Sequence, residues 1–140
     1  AKNGSDKGAY NLGCLLDKAD AAEATKWFAI AASMGNANAQ NALGINYETG
    51  AGVPHKDLSV ALDFYMRAAA SGLGDAMFNL GLMHYHGRGV PRNLGQSFHF
   101  FASSAQKGDT DALVWALRIL HELPDATENE TKLLAMNLVS

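Results

Sequence analysis

Apolar residues return along this chain every three or four positions in successive blocks, the spacing that gathers them on one side of an α-helix. From Asn38 to Thr49 the apolar positions are Ala39, Ala42, Leu43, Ile45 and Tyr47; from Asp57 to Ser71 they are Leu58, Ala61, Leu62, Phe64, Tyr65 and Ala68. Both blocks end at a glycine, and between them stands the turn-forming stretch GAGVP, residues 50–54. The pattern predicts two helices folded back on each other.

The pair then recurs. Gly44 and Gly81 are 37 residues apart, as are Gly50 and Gly87, Gly52 and Gly89, Ala39 and Ala76, and Gly35 and Gly72, while Gly72 and Gly108 are separated by 36. In that register ANAQNALGINYETGAGV matches GDAMFNLGLMHYHGRGV, and VALDFYMRAAASG matches both EATKWFAIAASMG and QSFHFFASSAQKG. A fixed period of this kind marks an array of helical repeats. The predicted units within a single domain are 1–36, 37–73, 74–109 and a divergent capping pair at 110–140. The first unit lacks Gly-x-Gly-Val, and its interval from Gly13 to Gly44 contracts to 31, which predicts a shorter turn.

A Gly-x-Gly could also cradle phosphate, but that chemistry needs a following lysine and Ser/Thr, or a third glycine opening a helix after a strand. Neither loop has them. Gly50 and Gly87 instead read as left-handed helix ends, Pro54 and Pro91 forbid continuation, and Asp57 and Asn93 are natural caps for the next helix. Gly44 and Gly81, inside helices, each cost about 1 kcal/mol relative to alanine. Their recurrence predicts a partner helix too close for a Cβ, with Phe64 or Phe100 as the neighbour.

Composition narrows the function. The 140 residues, 48% of them hydrophobic, suit one domain with a continuous core. A net charge of −3 from 14 acidic and 11 basic residues mixed along the chain leaves no basic stripe for nucleic acid. No run approaches the roughly 18 apolar residues of a membrane span, so a soluble chain without membrane insertion is expected. Cys14 is the only cysteine, which rules out an internal disulfide. His84 and His86, two apart, point to different sides of a helix and have no i, i+4 partner. There is no Gly-x-Ser-x-Gly. Neither catalytic residues, metal ligands nor a cofactor are predicted.

The segments ALGINYETGAGV and NLGLMHYHGRGV, followed by second helices of the kind seen in ATKWFAIAASMGN and ALDFYMRAAASG, resemble the Sel-one-like repeat family, helix pairs related to tetratricopeptide repeats with a longer internal turn. The resemblance implies an all-α, right-handed α/α superhelical solenoid of antiparallel helix pairs whose first helices line the concave side. It also implies a scaffold or adaptor for another protein or peptide, of the kind used in bacterial envelope assembly, host contact or signalling, in the periplasm or cytoplasm. By analogy with tetratricopeptide repeats, the groove residues are Tyr10, Asn11, Asn41, Phe78, Asn79, Tyr85, Trp115 and Arg118. Rings supply contact area and amides hold an extended backbone. Asn11 and Asn79 fall on one position of the carboxylate clamp found in some tetratricopeptide repeats, but Tyr10, Cys14, Phe78 and Leu82 replace the others. Two alternatives share the fold: a peptidoglycan- or carbohydrate-binding module with Tyr10, Phe78 and Trp115 as sugar platforms, and a rigid spacer within a larger protein. The sequence departs from the family pattern at His84, where a tyrosine is usual, and at Ala116-Leu117, where Leu-Gly is expected.

Overall fold

The computed structural model describes residues 5–17 and 19–122. Among the described residues the chain is helix and turn throughout, with α1 at Ser5–Leu16, α2 at Ala21–Ser33, α3 at Ala37–Thr49, α4 at Leu58–Ala70, α5 at Gly74–His86, α6 at Leu94–Gln106 and α7 at Thr110–Glu122. The second helix predicted for the terminal pair would fall in residues 123–140, which lie outside the described residues.

Short polar side chains start these helices by accepting backbone N–H groups that have no intrahelical partner. Asp20 accepts from Glu23, Asn36 from Ala39, Asp57 from Ser59 and Val60, Asn93 from Gln96, and Asp109 from Ala112. Gly50 ends α3 in the left-handed region at φ +87°. Gly52 is left-handed as well, and a Cβ there would collide with the Ala21 carbonyl oxygen, so the loop lies directly against the start of α2. The two long turns close with the same bond. The Asp57 N–H donates to the Tyr47 carbonyl and the Asn93 N–H to that of His84, each at 2.9 Å. The first turn is shorter, as its spacing predicts, and closes with the Ala19 and Asp20 N–H groups on the Leu16 carbonyl.

The chain divides into two compact units, Ala1–Leu73 and Gly74–Ser140. In the first, α1 packs on α2, α2 on α3 and α3 on α4; in the second, α5 packs on α6 and α6 on α7. The first core gathers Ala9, Ala24, Phe28, Ala31, Ala39 and Leu43, and the second Phe98, Phe101, Ala112, Ala116, Ile119 and Leu120. Alanines at the crossings let the helices approach, and the rings fill the space beside them.

Each pair is locked by a ring set flat against a glycine of the first helix. A Cβ would stand 2.6 Å from the Phe28 ring at Gly13, 2.5 Å from that of Tyr65 at Gly44 and 2.7 Å from that of Phe101 at Gly81. The expected neighbours Phe64 and Phe100 are therefore corrected to Tyr65 and Phe101. One residue along a helix turns the side chain by about 100°, and that step carries Phe64 onto Tyr47 and Phe100 onto His84, both half-buried. Ile45, an apolar position of α3, is 42% exposed because the buried side of that helix runs through Leu43 and Gly44. Leu117, which stands where a glycine is expected, is 46% exposed.

Candidate interaction surface

In the second unit, α5, α7 and the turn before α6 bring a set of rings and charges together. Phe101, wholly buried on α6, is the floor. Phe78 of α5 meets it edge-on at 5.4 Å between centroids, and Trp115 of α7 lies nearly parallel to it at 5.5 Å. Tyr85, two turns along α5 from Phe78, meets Trp115 edge-on at 5.1 Å. His86 sets its ring against both, 5.1 Å from Tyr85 and 6.1 Å from Trp115. Edge-to-face pairs of this kind add to the gain from burying the rings.

Charges fix the outer edge of the cluster. The Tyr85 hydroxyl donates to Glu122 Oε1 at 2.6 Å, at the end of α7. Arg92, in the turn before α6, donates from Nε to the Tyr85 carbonyl at 2.8 Å and from Nη2 to Glu122 Oε2 at 3.3 Å, with its guanidinium carbon 5.2 Å from the centre of the Tyr85 ring. Arg118 lies over Trp115 at 5.1 Å. The bond to Glu122, with desolvation and the carboxylate's charge behind it, raises the Tyr85 pKa above its ordinary value near 10, and the two arginines act weakly the other way. The phenol therefore keeps its proton, and the bond, through neutral pH.

Four of the eight sequence-predicted residues, Phe78, Tyr85, Trp115 and Arg118, thus meet in one place. Asn79, half-buried, lies on α5 beside Phe78. The other three stand on the first unit: Tyr10 half-buried with its ring 5.8 Å from Phe28, Asn11 exposed on α1, and Asn41 half-buried on α3. Arg92 and Glu122, which tie the cluster together, were not among the predicted residues. The one sequence signal for Arg92 was its place in the repeated Gly-x-Gly-Val-Pro turn.

His84 fills the slot of the expected tyrosine, its ring stacked on Phe100 at 5.4 Å. Its buried Nδ1 has no hydrogen-bond partner among the described residues, and burial lowers its pKa. No group of three or more His, Cys, Asp or Glu side chains among the described residues is placed to hold a metal ion. No described helix is long and apolar enough to cross a membrane.

The chain matches the family model for the Sel1 repeat three times, over residues 7–36, 37–73 and 74–109. Among solved structures it is similar to a Sel1 repeat protein from Oxalobacter formigenes, with 28% identity and a TM-score of 0.74 over 79% of this chain. It is also similar to a protective antigen of uropathogenic Escherichia coli displaying an SLR fold, with 26% identity and a TM-score of 0.84 over 99% of this chain. The chain spans 47% of the first of those chains and 30% of the second. No curated protein matches it significantly.

Proposed function

Because the chain belongs to the Sel1 repeat family, an all-α helical-repeat solenoid of the non-catalytic, protein-interaction scaffold type, we propose that it binds a peptide or protein segment through the outward side of its first helices. In this reading that side corresponds to the concave face that the family resemblance implies. The observation that carries this reading is the half-exposed cluster of Phe78, Tyr85, Trp115 and Arg118, aromatic and arginine side chains of the kind that dominate interface energetics. The organisms of the two solved relatives favour a bacterial setting. The sugar-platform alternative has less support, since Tyr10 is set against Phe28, Phe78 against Phe101, and Trp115 against Phe101 and beneath Arg118.

A photo-crosslinking amino acid placed at Val114, 65% exposed on α7, tests the reading against the same group at Gln96, exposed on the second helix α6. Capture of one cellular protein from Val114 alone, weakened by Arg118→Glu, is the expected result. Equal capture from both positions, or capture from Gln96 only, would sink it.

A further inference from the structure

The charges of the cluster do not balance, and the imbalance identifies a partner chemistry. Both carboxylate oxygens of Glu122 are engaged, one by the Tyr85 hydroxyl and one by Arg92, so its negative charge is spent within the cluster. Arg118 has no such counterpart among the described residues. It is exposed, it rests on the Trp115 ring, and among the described residues no carboxylate lies within ion-pair distance of its guanidinium. Asp111, the other acid on α7, is two turns away, about 10 Å along the helix axis. Among the described residues the cluster thus leaves one positive charge without a carboxylate partner.

The surroundings of that cation are apolar. Val114 lies one turn before Arg118 on the same side of α7 and is 65% exposed, and Trp115 is beside it. A guanidinium held over a ring by its carbon keeps N–H groups that can receive a carboxylate with two parallel hydrogen bonds. Resting on the proposed function above, we infer that this surface selects acidic partner segments in which an Asp or Glu stands next to an aromatic or branched apolar residue. The carboxylate takes Arg118, and the apolar neighbour takes Val114 and the open edge of Trp115. Tyr85, Arg92 and Glu122 act as positioning residues that brace α7 against α5.

The test is a selection of short random displayed peptides on the immobilised wild-type chain, followed by binding of the enriched peptides to Arg118→Glu and Arg118→Gln variants with unchanged helical circular dichroism. The expected outcome is enrichment of acidic residues beside apolar ones, and binding weaker by about tenfold or more in both variants. Enriched peptides without an acidic excess, or acidic ones that bind Arg118→Gln as tightly as wild type, would overturn the inference. In that event the proposed site survives only if Val114→Asp abolishes their binding. Enrichment of nothing at all removes both.

Discussion

His84 and the three locked glycines show how much single residues decide in this chain. Burial holds the His84 ring neutral, so the unfolded chain takes up a proton there more readily than the folded one. Stability is full above the unfolded value of 6.5 and is lost as pH falls below it and through the depressed folded value. His84→Phe keeps the stack on Phe100 and removes the titration. Thermal melts of the variant between pH 7 and pH 5 are expected to shift less than those of the wild type. A loss of equal size in both would assign the acid sensitivity elsewhere. At Gly44 and Gly81 the rings of Tyr65 and Phe101 are 1% and 0% exposed and have nowhere to move. Gly44→Leu or Gly81→Leu is expected to cost about 1–3 kcal/mol by overpacking, a fall of several degrees in Tm. Gly8, with nothing near its Cβ position, provides the contrast, since Gly8→Ala in the interior of α1 should stabilise by a few tenths of a kcal/mol or more.

At the scale of elements, Asn36 carries more than its cap. Its Oδ1 accepts the Ala39 N–H to start α3, and its Nδ2 donates to Asp6 Oδ2 at 3.0 Å, tying α3 to the first turn of α1. Asp6 is 4% exposed, and its other oxygen has no partner among the described residues. Asn36→Ala removes a cap worth about 1 kcal/mol and strands a buried carboxylate. Asp57→Ala, at an exposed cap, removes the cap alone. Denaturant titration should give Asn36→Ala roughly twice the loss of Asp57→Ala, and equal losses would show that the bond to Asp6 contributes nothing net. These elements were legible in the sequence because their signals are local: a cap, a glycine end and an apolar period lie within a few residues of one another. The choice between Phe64 and Tyr65 at the glycine was not, since both are rings and one helical step separates core from rim. Arg92 and Glu122 were hidden for another reason. Their bond joins residues 30 apart, and each alone is an ordinary surface charge. Of the predicted surface, the members on α5 and α7 are brought together by Phe101, a core residue that no surface pattern would include.

For the whole molecule the feature that matters is that buried residues gather in two clusters, one described in each unit. Phe28, opposite Gly13, and Leu43, next to Gly44, belong to one cluster, whereas Phe101, opposite Gly81, belongs to the other. Substitutions that share a core are expected to couple, and those in separate cores to add. Gly13→Ala combined with Gly81→Ala should lose the sum of the single losses within about 0.5 kcal/mol, and Gly13→Ala with Gly44→Ala should depart from it. Urea melts of the wild type and the five variants would decide this, and a departure in the first double variant as large as in the second would refute the separation. The two tryptophans fall one to each unit. Trp27 is set against the first core, and Trp115 is stacked on Phe101 of the second. The chain is therefore a two-channel optical instrument. With Trp115 replaced by phenylalanine its fluorescence reports only the first unit, and with Trp27 replaced it reports only the second, so the order in which the two halves melt can be read as light from an intact chain.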